Sequence, residues 1–438
     1  MGESISFIHL SDIHFRKFSG DKFDIDQDLR DEIIRDINKN AKSYLENIKG
    51  VLVCGDIAFS GQESEYEKAE DFLKEICRML SISETAVYCV PGNHDVDQSI
   101  PYRGSVLHSL QSELEKANTN NLIDHKLAGY ARDNSNKDGL FKHIETYNTK
   151  FAGKFSCNIN SEKPNWQSDF SLADKITLRL YGLNSVIVSN MDDHKDKEKD
   201  KPMIIGKYQI PKNEDGVIYM SLCHHPPECW KDYDNYTQNL INSRIHIQLY
   251  GHKHIQEIKQ IGNSLIIGSG ATHPSRFEDG WNPRYNWINV KIVKKYHEVY
   301  LDVKVYQRVL SPQGDKFIAD IDGESTDEFK QYLIKLENEC VNNIINERLE
   351  SDTNLIDNDL KIEVQNVLVK QIDADTKTIV YRFIELPFII QTSILTKYEL
   401  LDECDQGKKY IDIIDKIIDK ARQLGCLDKL WKEIKKHY

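Results

Sequence analysis

Val51-Leu52-Val53-Cys54-Gly55-Asp56 is an apolar run of strand length that stops on a glycine and delivers a carboxylate. A similar arrangement recurs downstream, where Ala86 to Val90 reads as a strand and runs into Gly92-Asn93-His94-Asp95. Between the two, Tyr66, Ala69, Phe72, Leu73, Ile76 and Leu80 recur at helical spacing. Working outward, Ile5 to Leu10 reads as an earlier strand, and Leu29, Ile33, Ile34 and Ile37 mark the helix after it. Strand, helix, strand, helix, strand is the opening of an α/β layered sheet. Further strands are expected at Ile176 to Leu180, Val217 to Leu222, Ile245 to Tyr250 and Ser264 to Ile267.

Residues 100–170 interrupt this rhythm with helix-like and polar segments and read as an insertion. Beyond about residue 325 the strand signals stop. Asp327 to Glu350 and Leu360 to Val369 are helical in pattern, Thr376 to Leu400 is apolar and broken at Pro387, and Tyr410 to His437 carries one apolar stripe. Gly425 is expected to end one helix of that last segment. The expected organisation is a catalytic domain over 1–310, a helical connector over 325–375 and a small helical module over 376–438.

Composition bounds the function. Of 438 residues, 39% are hydrophobic and 29% charged, the balance of a globular chain, and no apolar run is long enough to span a bilayer. No secretory signal is read at the N-terminus. Nine cysteines without a Cys-x-x-Cys pair, several in strand-like runs, fit buried free thiols in a reducing cytoplasm. The net charge of −13 argues against an extended nucleic-acid surface while leaving room for a local basic groove.

Five short segments carry the chemistry, each at or just after a strand end: Asp12-Ile13-His14, Gly55-Asp56, Gly92-Asn93-His94-Asp95, His224-His225-Pro226-Pro227 and Gly251-His252-Lys253-His254. Open α/β sheets place their sites at the carboxyl ends of strands. Carboxylates, an amide oxygen and imidazoles suit borderline divalent cations such as manganese, iron, zinc or nickel, and not calcium. The glycines before Asp56, Asn93 and His252 are expected to allow sharp turns. A lone histidine in an apolar strand is a core residue by default, so His9 and His246 receive no role.

In this order the five segments resemble the signature of the calcineurin-like metallophosphoesterases. Gly55-Asp56-Ile57-Ala58-Phe59-Ser60-Gly61 and Cys223-His224-His225-Pro226-Pro227 look most like the branch of cyclic-nucleotide and glycerophosphodiester phosphodiesterases. The resemblance covers roughly residues 5 to 275 and implies a four-layer α/β/β/α sandwich. It further implies that Asp12, His14 and His254 hold one metal, that Asn93, His224 and His252 hold the other, and that Asp56 bridges them. His94 would then donate a proton or hydrogen bond to the leaving group or phosphoryl oxygens, with Asp95 orienting His94 or a loop. His225 is the less favoured ligand of its pair. Asn184 stands where many relatives of this branch carry Asp and reads as structural. A two-metal site acidifies water, holds phosphate oxygens and neutralises developing charge. The implied reaction is hydrolysis of a phosphoester, foremost a small phosphodiester such as a cyclic nucleotide. A nuclease acting on single-stranded nucleic acid and a signalling scaffold with a non-catalytic metal site are the competing readings.

Leu386-Pro387-Phe388, Leu400-Leu401-Asp402-Glu403 and Gly425 to Trp431 resemble the small death-like or effector-associated adaptor modules of bacterial conflict systems. That resemblance implies a protein partner for the tail. Packing on the catalytic domain, or dimerisation, is the alternative.

Overall fold

The computed structural model describes residues 4–16, 26–100, 102–133, 136, 139–191, 193, 202–274, 282–295, 298–321, 327–336, 375–405 and 407–438. Two mixed sheets lie face to face. The first contains β1 (Ile5–Leu10), β2 (Ile48–Cys54), β3 (Val87–Val90), β10 (Arg284–Lys295), β11 (Glu298–Leu310), β12 (Phe317–Ala319) and β13 (Lys330–Lys335). The second contains β4 (Trp166–Ala173), β5 (Ile176–Gly182), β6 (Val217–Leu222), β7 (Ile247–Tyr250), β8 (Ile258–Ile261) and β9 (Ser264–Gly268). The centre of each sheet is parallel: β1, β2 and β3 in one, β5, β6, β7 and β9 in the other. Their strands are buried along nearly their whole length, as expected where both faces are covered. Aromatic side chains fasten the sheets together, with Phe170 meeting Phe7 at 5.4 Å and Tyr88 at 5.6 Å between ring centroids.

Helices α1 (Gln27–Asp36) and α2 (Glu63–Leu80) bury the apolar faces read from the sequence, Leu29 and Ile33 in one, Tyr66, Ala69, Phe72, Leu73, Ile76 and Leu80 in the other. The interruption at 100–170 is helical over α3 (Val106–Glu115) and α4 (Asn120–Arg132), and its end already contains β4. A further helix, α5 (Tyr236–Arg244), precedes β7.

Two expectations need correction. The helical pattern read from Asp327 gives way at 330–335 to β13, which pairs antiparallel with β11 and buries Ile334. A ready strand edge outweighs a weak helical period in so short a segment. The remainder of the expected connector, 337–374, lies outside the described residues. Strands β10 and β11, the longest among the described residues, were not among the strands expected; apolar positions are interspersed with Asn and Lys in the first and with Asp, Lys, Gln and Arg in the second.

The tail forms α6 (Thr376–Glu385), α7 (Phe388–Lys397), α8 (Ile414–Gln423) and α9 (Leu427–Ile434) around its own core of Ile379, Phe383, Leu395, Ile414, Ile418 and Leu430. Pro387 separates the first two helices. Gly425, at φ +62°, ends the third, with its N–H on the Arg422 carbonyl and that of Cys426 on Ala421. All eight described cysteines are free, seven of them buried. Among the described residues no helix is long and apolar enough to cross a membrane.

Candidate metal centre

The five segments converge. Asp12 and His14 follow β1, Asp56 follows β2, and Asn93 and His94 follow β3; from the second sheet, His224 follows β6, and His252 and His254 follow β7. Backbone hydrogen bonds lace the loops together: Ile13 and His14 both donate to the Asp56 carbonyl (2.9 Å each), and Gly251 donates to that of His224 (3.0 Å). The site therefore spans the carboxyl ends of both sheets.

Its geometry defines two adjoining groups. Asp12, His14 and His254 bring ligand atoms within 4.8 Å of one another, as do Asp12, Asp56 and His224. Asn93 Oδ1 lies 3.0 Å from His224 Nε2 and 3.1 Å from His252 Nδ1. Asp56 Oδ2 lies 3.3 Å from His14 Nε2 and 3.4 Å from His224 Nε2, so one carboxylate oxygen stands between the groups. Two ligands each about 2.1 Å from one ion and at right angles sit about 3 Å apart, so these separations suit side chains sharing a cation. Asp12 Oδ1, fully buried, has no hydrogen-bond partner among the described residues, with His254 Nε2 at 3.4 Å. A buried carboxylate oxygen left in this way is costly unless a cation completes it.

The charge balance points the same way. Burial would raise the Asp12 carboxyl, but the facing His254 imidazole holds it at about 2. Burial is likewise overcome at Asp56, which His224 and His94 hold well below the ordinary carboxylate range. Against its own burial, His224 is pushed up to about 9, chiefly by Asp56. Bare side chains here balance the carboxylates with protons; a divalent cation would replace those protons.

Backbone conformation marks the site as well. Asp12, His14, Asp56, His252 and His254, five of the seven sequence-read ligands, have φ between +51° and +68°. This left-handed region is uncommon outside glycine and costs roughly 1 kcal/mol per residue. Such strain concentrates at functional sites. The flanking glycines serve differently than expected. Only Gly55 has positive φ (+83°), whereas Gly92 and Gly251 provide space: a Cβ there would stand 2.1 Å from Asp56 Oδ1 and 1.9 Å from Ser11 Oγ, respectively.

Surrounding groups aim the imidazoles. His224 Nδ1 donates to the Cys54 carbonyl (2.7 Å), leaving Nε2 with its lone pair for the centre. His94 Nδ1 lies 2.9 Å from the Phe59 carbonyl, and its ring stacks on Phe59 at 5.1 Å. The Asp95 carboxylate accepts from the backbone N–H groups of Gly92, Ile57 and Ala58 and from the Tyr66 hydroxyl, so it ties the Asp56 loop to the Asn93 loop. His225 turns Nδ1 to Ser185 Oγ (2.9 Å), and its ring packs 4.4 Å from that of His252. Phe59 lay within the motif read from the sequence but was given no role there, and Ser185 was not singled out. Asn184 is structural, its Oδ1 accepting from the Val186 N–H. His9 is a core residue and His246 is half-buried, and desolvation lowers them to about 3 and about 4.

A mixed Asp, Asn and His cluster at the strand ends of a helix-flanked double sheet is the arrangement of a metal-dependent hydrolase. Residues 5–256 match the family model for the calcineurin-like phosphoesterases. The chain belongs to this family and is a metal-dependent phosphoesterase. Residues 375–436 match the model of the GTPase-associated adaptor domain. Comparison with the curated proteins returns no match. Similar solved structures include a Vps29 variant from Entamoeba histolytica (11% identity, 76% of this chain and 99% of that chain, TM-score 0.30). Others are Vps29 of Cryptosporidium parvum (10%, 76% and 99%, TM-score 0.31) and GAP50 of Plasmodium (10%, 76% and 89%, TM-score 0.35).

Proposed function

We propose that the chain hydrolyses small phosphodiesters, cyclic nucleotides among them, at a two-cation centre. Asp12, His14 and His254 hold one ion, Asn93, His224 and His252 the other, and Asp56 both. The observation that carries this reading is the single Asp56 oxygen within 3.4 Å of an imidazole from each group. When bound, the cations supply the Lewis acidity that polarises a phosphoryl group and acidifies water. The protein supplies placement. His94 is locked by the Phe59 carbonyl at one ring nitrogen, and its backbone N–H donates to Asp56 Oδ1 (2.8 Å), so its imidazole is held beside the bridging carboxylate. From there it gives a proton to the departing alkoxide or a hydrogen bond to the phosphoryl oxygens. Manganese is the working choice among borderline cations, and free thiols fit a reducing cytoplasm.

The tail adds a second element, recruitment by a protein partner. The adaptor-domain match and the outward Phe388 and Ile389, 66% and 80% exposed, support it. The decisive experiment incubates manganese-loaded protein with cyclic AMP, an aryl phosphodiester and single-stranded DNA, beside Asp56→Asn and His94→Ala. Diester turnover lost in both variants is expected. Turnover of DNA alone establishes the nuclease, and no turnover of any substrate the scaffold.

A further inference from the structure

A cavity of about 930 Å³ opens between α4, the segments around Phe141 and Pro164, and residues 207–212. It shares no residue with the metal cluster, and its size is that of a site for a small organic ligand. Its apolar lining comes from Leu127, Ala128 and Tyr130 of α4 with Leu140 and Phe141. Lys207, Tyr208, Lys212 and Arg244 complete the lining, Arg244 donating from Nη1 to the Pro211 carbonyl (3.0 Å). Arg132, at the end of α4, also lines it.

Charge decides what this cavity accepts. Four cations line it against one carboxylate, Asp124, which accepts the Lys207 backbone N–H at 2.8 Å. None of the four forms an ion pair with a carboxylate among the described residues, although the chain carries 70 acidic residues and a net charge of −13. Arg179, by contrast, is paired with both Asp169 and Glu214. Cations without carboxylate partners, Lys207 Nζ lying 5.5 Å from the centre of the Tyr236 ring, together with aromatic and aliphatic side chains make a site for a flat apolar body carrying phosphate charge.

We infer that this cavity binds a nucleoside phosphate, its base against Leu127, Phe141 and Tyr208 and its phosphates on Lys207, Lys212 and Arg244, as a second site apart from the metal centre. The inference is independent of which phosphoester the centre cleaves.

Titration calorimetry of the manganese-loaded full chain with ADP tests it, with intact ADP verified afterwards. Adenosine and orthophosphate are titrated in parallel. ADP is expected to bind at least about tenfold more tightly than either, because each carries only half of the recognised chemistry. Lys207→Ala with Lys212→Ala is expected to weaken ADP at least about tenfold while the far-ultraviolet dichroism is unchanged. Asp56→Asn, in the metal centre, is expected to retain ADP binding at this site. The inference is overturned by no ADP binding up to about 1 mM. It is equally overturned by adenosine binding as well as ADP, or by loss of binding in Asp56→Asn with retention in the lysine pair.

Discussion

A Cβ on Gly92 would stand 2.1 Å from Asp56 Oδ1 and 2.4 Å from the Asp56 nitrogen, with backbone on one side and a buried carboxylate on the other. Neither can yield without moving the oxygens that face His14 and His224. Gly92→Ala is therefore expected to lower kcat for a diester about 100-fold, the scale of a misplacement near 1 Å, and to reduce bound manganese. Metal analysis beside kinetics checks it, and full metal with full rate would refute the close approach as the reason for glycine. Gly129 lies in α4 with nothing within 4 Å of its absent Cβ, so Gly129→Ala is expected to stabilise by about 0.5–1 kcal/mol in chemical denaturation. Side-chain type made the candidate ligands legible in the sequence, because Asp12, Asp56, Asn93 and the histidines follow apolar runs. Their left-handed backbones were not legible, since nothing in Asp-x-His announces φ near +53°. The Phe59 carbonyl faces His94 Nδ1 and the His273 carbonyl lies 3.5 Å from His14 Nδ1, and a backbone carbonyl is something every residue has.

The same division holds for elements. The parallel strands β1, β2, β3, β6 and β7 are buried on both faces, so their apolar runs stand out from sequence alone. Strands β10 and β11 cross the sheet as a long antiparallel pair with Asn286, Asn289 and Asp302 buried among their apolar residues, and those polar positions hid them. In the tail, periodicity was clear and helix boundaries fell at Pro387 and Gly425. There Asp402 accepts from Lys416 and Lys420, which hold its carboxyl at about 2, and Lys397 and Lys436 hold Glu433 at about 2. Both carboxyls are lowered on folding, so their stabilisation is present above the unfolded values near 4 and is lost as pH falls toward about 2. The groups are exposed, so salt screens the effect. Hydrogen exchange of peptides spanning 397–434 in the full chain, corrected for the intrinsic pH dependence, is expected to accelerate from about pH 5 to about pH 2.5. Lys416→Met should flatten that response, and an unchanged profile in the variant would exclude these pairs as its source.

At the scale of the molecule, one helix belongs to two cores. Val380 and Phe383 of α6 pack inside the tail, whereas Tyr381 between them is part of the large catalytic core. Its ring stacks on Phe155, and its hydroxyl donates to Glu70 Oε1 of α2 at 2.9 Å. One turn earlier, Lys377 donates to the Val87 carbonyl of β3 (2.6 Å) and lies 3.7 Å over the Tyr88 ring, on the strand that delivers Asn93 and His94. Lys163 with Asp415 adds a peripheral tie of the exposed kind that contributes little. The tail is thus bolted to the catalytic sandwich through a buried aromatic and a half-buried cation, and the two parts should unfold together. Calorimetry of the full chain is expected to show one transition. Tyr381→Ala removes the shared ring at a cost of about 3 kcal/mol and is expected to separate a lower-melting tail from the sandwich. Tyr381→Phe, which removes only the hydroxyl, is expected to cost about 1–2 kcal/mol and to keep the single transition. Two transitions in the unaltered chain would mean that Tyr381 and Lys377 do not couple the tail to β3, and that a partner on the tail has no mechanical route to the metal loop.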